Sequence, residues 1–126
     1  KRAILLPVSA PFHSKLMGPA SLEMKDALST IAIIEPTIPL VSNVRAQAVR
    51  QPAEIRSLLV EQVTGVVRWR ESIEWMANNG VTEMLEIGAG RALSGMVRRI
   101  NRSISCASAS NPDEVTKVIL SQSEIR

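Results

Sequence analysis

Tyrosine is absent from these 126 residues, and phenylalanine (one), tryptophan (two), cysteine (one) and histidine (one) are scarce. Each shortage closes off a class of function. With so few aromatic rings, single-stranded nucleic acid finds no stacking platform, and neither a helix-turn-helix nor a zinc-finger pattern is present. A single cysteine cannot close an internal disulfide, and one cysteine with one histidine does not make a zinc site of the usual kind. That cysteine, Cys106 in SISCASAS, sits in a small apolar run and is expected to be buried, in a protein of a reducing compartment. No apolar run approaches the ~20 residues needed to span a bilayer, and no signal-peptide pattern opens the chain. The expectation is a cytoplasmic protein without nucleic-acid or membrane partners.

Charge is only weakly biased, 15 basic residues against 12 acidic giving +3. The one local concentration, Arg91, Arg98, Arg99 and Arg102, reads as a solvated helix face, with a functional patch as the alternative. Apolar residues make up 45% of the chain, so the core must be aliphatic. A chain of this length buries roughly two thirds of its unfolded surface around one core. Lys1 leads straight into the strand-like run Ala3–Val8, which reads as a piece of a longer chain.

Past that strand, Pro7 and Pro11 stiffen a loop over Ser9–Ser14. Leu16, Ala20, Met24, Ala27, Leu28 and Ile31 then recur at helical spacing, and Glu35-Pro36 and Pro39 close that helix. The run Leu40–Val44 reads as a short buried strand or its end. Gln51-Pro52 marks a helix start, with Ile55, Leu58, Leu59, Gln62 and Val63 on one stripe and Gly65 placed to end it. Further on, a helix over 68–78 stops at Asn79-Gly80, and a strand over Glu83–Ile87 turns at Gly88-Ala89-Gly90 into a helix bearing Leu93, Met96, Val97 and Ile100. A strand near Ile104–Ala107 and a helix from Pro112, with Asn111 as its cap, complete the chain. Strands alternating with helices indicate an α/β fold with a mainly parallel sheet, whose ligands sit at the carboxyl ends of the strands. Both His13 and the Gly88–Gly90 turn follow strands.

His13 is the one candidate base. A neutral imidazole takes a proton from a hydroxyl or thiol when an acceptor on its other nitrogen fixes the tautomer. Gln62 lies in the last turn before Gly65, where helix carbonyls lack internal partners, so its main-chain oxygen is available for that task. A plain loop histidine is the alternative. No nucleophile accompanies it: the G-x-S-x-G elbow is absent, Ser94 falls inside a helix, Ser9 and Ser14 are too close in sequence to convince, and Cys106 lacks activation. Gly88-Ala89-Gly90-Arg91 matches neither the dinucleotide nor the P-loop fingerprint, so a tight structural turn is favoured over a phosphate cradle.

In order and spacing, PVSAPFHSKLMGPA, PTIPLVSNV, EQVTGVVRW and EMLEIGAGRALSGMVRRI resemble the C-terminal portion of the malonyl-CoA:acyl-carrier-protein transacylase family. The resemblance implies an α/β fold with a three-layer parallel-sheet core of the α/β-hydrolase-like acyltransferase type. Residues 1–12 would end an inserted ferredoxin-like subdomain, supplying its last strand, and 13–126 would form the C-terminal part of the large subdomain. It implies ping-pong transfer of malonyl from malonyl-CoA to the phosphopantetheine thiol of acyl carrier protein, through a malonyl-serine and without a cofactor. The serine elbow and a carboxylate-binding arginine belong to the family's N-terminal part, the further partner that this chain would need; alone it would be inactive. His13 falls on the catalytic histidine and Gln62 on the glutamine whose carbonyl holds it. Asn43 falls near the site with no assigned role. Phe12 falls where, in the related acyltransferase domains of polyketide synthases, a bulky Phe goes with malonyl and a Ser with methylmalonyl, and Arg98, Arg99 and Arg102 would help to steer carrier protein. Two other readings stay open: the same portion of a polyketide or fatty acid synthase acyltransferase domain, and a noncatalytic α/β module that binds carrier protein.

Overall fold

The computed structural model describes residues 8–123, so the strand expected over Ala3–Val8 lies, except for Val8, outside the described residues. The chain divides into two units, one ending at Ser72 and the other beginning at Ile73.

In the first unit, the Ser14 hydroxyl accepts from the Leu16 amide at 3.3 Å and starts a single 3₁₀ turn over Lys15–Met17, which runs into α1 (Gly18–Ser29). The helix stops well short of Pro36. Ser29 and Thr30 donate their hydroxyls back to the carbonyls of Asp26 and Ala27, satisfying the last turn. The following Ile31, Ile33 and Ile34 are β-branched and favour extended backbone. The Arg56 guanidinium then takes the Ile31 carbonyl at 2.7 Å. Contrary to the amphipathic expectation, α1 contains no buried residue; Met24 and Ala27 of the expected stripe are exposed.

The strand expected over Leu40–Val44 is a two-residue strand, β1 (Leu40–Val41), in an antiparallel hairpin with β2 (Ala48–Val49). Leu40 is exposed, so this strand is not the buried one expected. The cause is Ser42. Its hydroxyl accepts from the amides of Val44 and Arg45, its carbonyl accepts from Ala46, and Ala46 adopts φ 55°, turning the chain where β-formers alone would extend it.

Helix α2 (Pro52–Thr64) matches expectation, with Pro52 at its first position and Ile55 and Leu58 buried. These two join Val49 in the core, flanked by Ile33, Val44 and Leu59. Gly65 ends the helix in an extended conformation rather than a left-handed one. It is needed for closeness instead: a Cβ there would stand 2.8 Å from Val44 Cγ1 and 2.9 Å from the Glu61 carbonyl oxygen.

Helix α3 (Trp69–Asn78) closes on Gly80 at φ 86°, with Val81 donating to Met76 and Gly80 to Ala77, a Schellman arrangement. In the second unit, β3 (Glu83–Ile87) pairs in parallel with β4 (Ser105–Ala109), Glu83 opposite Ser105 and Ile87 opposite Ala109. The connection is α4 (Ala92–Ile100), with Val97 and Ser94 buried. Ile104, Cys106 and Ala109 are buried, whereas Leu85 and Ile87 on β3 are exposed. Helix α5 (Pro112–Ser123) begins with a reciprocal cap: Asn111 accepts from the Glu114 amide at 2.9 Å, and Glu114 accepts from the Ser110 amide at 2.7 Å. The described residues thus hold one two-stranded parallel and one two-stranded antiparallel ladder. No helix among them is long and apolar enough to cross a membrane.

Candidate active site

The loop that presents His13 is folded by its own polar groups. Phe12 donates its amide to the Ala10 carbonyl at 2.9 Å, and the Ser14 hydroxyl donates to the Pro11 carbonyl at 2.8 Å. His13 stands between them at φ 57°. A side chain in the left-handed region costs roughly 1–2 kcal/mol, so something must hold it there. The holder is Gln62: His13 Nδ1 lies 2.8 Å from its main-chain oxygen.

That oxygen is free for the contact because of how α2 ends. The Glu61 carbonyl accepts from the Gly65 amide at 2.8 Å and from the Thr64 hydroxyl at 3.4 Å. The extended backbone of Gly65 takes the chain away before the next helical bond forms, so the Gln62 carbonyl points out of the helix end. A carbonyl only accepts, so the neutral imidazole must carry its proton on Nδ1, leaving the lone pair on Nε2. This is the geometry of a general base with a fixed tautomer. The imidazole and the Phe12 ring are both exposed, Phe12 at 58%.

The expected pair of His13 and Gln62 is therefore brought together, and Phe12 is their sequence neighbour. Asn43 joins them through a link that sequence does not announce. Its Nδ2 donates to Gln62 Oε1 at 3.2 Å, and its carbonyl accepts from the Arg68 amide at 2.8 Å. The signal was present only as turn-forming Ser-Asn inside a β-rich run.

Candidate nucleophiles remain unsuited. The Ser14 hydroxyl is committed to Pro11. Ser94 is buried within α4 and donates to the Arg91 carbonyl. Cys106 is buried, and burial pushes its thiol up despite the opposing pull of the Arg98 guanidinium. The Gly88–Gly90 turn is a structural one. Both glycines have positive φ, and the amides of Leu93 and Ser94 at the start of α4 are filled by the Glu86 carboxylate at 3.1 and 2.8 Å. An external phosphate finds those donors taken. Arg98 is likewise engaged, donating to the Cys106 carbonyl at 3.0 Å, so it is less available to a partner than the carrier-steering reading supposed.

No protein-family model matches the chain. Individual proteins do. The malonyl CoA-acyl carrier protein transacylase of Bacillus subtilis is 41% identical over 119 residues, which make up 94% of this chain and 38% of that protein. The crystal structure of an acyl-carrier-protein S-malonyltransferase from Bartonella henselae superposes with a TM-score of 0.86 at 50% identity, again over 94% of this chain and 38% of the other. A malonyl-transacylase solved in complex with a type II polyketide synthase acyl-carrier protein superposes with a TM-score of 0.83 at 37% identity, over 92% and 38%. The chain thus spans well under half the length of the relatives it matches. By sequence and by fold, it belongs to the malonyl CoA-acyl carrier protein transacylase family and corresponds to a C-terminal portion of it.

Proposed function

We propose that this chain is the base-bearing part of an enzyme that moves malonyl from malonyl-CoA to the phosphopantetheine thiol of acyl carrier protein, in the cytoplasm and without a cofactor. The observation that carries the reading is the 2.8 Å contact between His13 Nδ1 and the Gln62 carbonyl. It leaves Nε2 able to accept a proton, which is what thioester attack by a hydroxyl requires. The attacking serine belongs to the part of the family's fold that this chain does not span. His13 takes the serine proton as the malonyl-serine forms and passes it to the departing coenzyme A thiolate; it then takes the carrier-protein thiol proton and returns it to the serine oxygen as malonyl moves to the thiol.

Residues 13–126 belong to the large subdomain with its three-layer parallel-sheet core; the segment before them lies mostly outside the described residues. The parallel β3–β4 pair joined through α4 supports this placement. Phe12 lines the acyl pocket. Its side chain is exposed, and a filled pocket discriminates against one extra methyl by about 1–3 kcal/mol. Carrier protein as the partner is supported by the relative solved in complex with one.

The test is His13→Ala in the protein that carries this chain together with the serine-bearing part. Malonyl transfer to carrier protein should fall by about 10²–10⁴, the usual worth of a positioned acid–base group, with the fold intact by circular dichroism. Transfer within threefold of wild type would remove His13 from the reaction.

A further inference from the structure

His13 is held by a carbonyl at the very end of a helix, and helix ends fray. An N–H···O contact of 2.8 Å weakens once the atoms part by a few tenths of an ångström. Something must therefore keep the last turn of α2 in place. The Gln62 main chain bonds the imidazole, while its side chain, half-buried, is gripped by Asn43 Nδ2 at 3.2 Å.

Asn43 is a firm anchor. Its own carbonyl accepts from Arg68 at 2.8 Å, tying it to the start of α3. The neighbouring Ser42 is buried and spans the turn with its hydroxyl. Val44, one residue on, packs so closely against Gly65 that no Cβ fits there. The amide pair also borders a hollow lined by Leu40, Ile55, Leu58 and Leu59, where apolar surroundings strengthen a polar contact and make its loss costly.

We propose that Asn43 is a positioning residue for His13: by holding the Gln62 side chain it fixes the carbonyl that selects the Nδ1–H tautomer. The inference rests on the reading of His13 as the base. Without the carbonyl in place, an imidazole in water prefers the Nε2–H form, which puts the lone pair on the wrong nitrogen.

The single histidine makes a direct test possible. The 126-residue chain is labelled with ¹⁵N, and long-range ¹H–¹⁵N correlation at alkaline pH, where imidazoles are neutral, reports the tautomer. Wild type should be mainly Nδ1–H. Asn43→Leu should shift the ratio toward Nε2–H by about three- to tenfold, the equilibrium worth of one neutral hydrogen bond. Gln62→Met, which keeps the carbonyl and removes Oε1, should do the same, and the double variant should add nothing further. Asn43→Asp should restore the wild-type ratio, because the Gln62 amide can invert and donate to the new carboxylate. Wild-type behaviour in Asn43→Leu, beside a wild type that is Nδ1–H, overturns the role of Asn43 and leaves the base reading standing. An Nε2–H wild type overturns both. Should Asn43→Leu lose its dispersed amide spectrum, Gln62→Met decides: an unchanged ratio overturns the proposal.

Discussion

Gly65 is where the hairpin, the end of α2 and the histidine contact depend on one missing methyl group. Its φ of −85° is open to any residue, so Gly65→Ala carries no dihedral penalty and isolates the steric one. The new Cβ would stand 2.8 Å from Val44 Cγ1 and 2.9 Å from the Glu61 carbonyl oxygen. Val44 is stiff at χ1 and half-buried, and the Glu61 oxygen already accepts from the Gly65 amide, so neither yields without loss. Overpacking of this kind costs about 1–3 kcal/mol, while alanine recovers about 0.4–1 kcal/mol by restricting the unfolded chain. The net is a destabilisation of up to about 2.6 kcal/mol, centred at ~1.3 kcal/mol, and that centre lowers Tm by about 4–7 °C for a chain of this size. Thermal unfolding followed by circular dichroism reads it directly. Adding Val44→Ala separates the two contacts: if the valine methyl dominates, the double variant regains at least half of the loss measured against Val44→Ala alone. A Gly65→Ala chain as stable as wild type would refute the argument that glycine is required for close approach.

Two further perturbations address the second unit. Glu86 is held below the usual carboxylate value of 4.5, first by the Ser94 amide and further by that of Leu93. A folded value below the unfolded one means its stabilisation is complete above the unfolded value and is lost as pH falls through the folded one. The Tm gap between wild type and Glu86→Gln should therefore be full at pH 7 and shrink as acid is taken below 4.5; a gap constant from pH 7 to pH 3 would contradict the charge-assisted cap. Asn111→Ala should cost about 1 kcal/mol through loss of the α5 cap while Asn111→Ser stays near neutral, and equal stability of all three chains in urea would remove the cap from the account.

Much of this arrangement was legible because it is local. Pro52 and Gly65 bracket α2, Asn79-Gly80 closes α3, and Asn111-Pro112 opens α5; each acts on neighbours within four residues. The Gln62 carbonyl was legible for the same reason, since a helix that ends at Gly65 must leave it unpartnered within the helix. The hairpin was not. Its strands are two residues each, its turn uses a serine hydroxyl, and its positive-φ position is Ala46, which carries no turn signal. The Asn43–Gln62 bond joins residues 19 apart in sequence and has no periodicity to betray it. Around α1 the apolar stripe predicted a buried face that the described residues do not cover, Met24 remaining 41% and Ile31 51% exposed. Patterning shows that a face is apolar, and only packing shows what meets it.

The Glu86 cap also limits how the chain can vary in length. Its carboxylate sits on β3 and its two donors sit on α4, so the turn between them works as a ruler of fixed span. Inserting or deleting one residue between Ile87 and Ala92 would rotate the first turn of α4 by about 100° and aim its amides away from the carboxylate. Substitutions in that turn answer to the backbone angles of Gly88 and Gly90, whereas changes of length answer to an electrostatic contact that neither glycine makes. Loop grafts and tag insertions are better directed elsewhere on the chain.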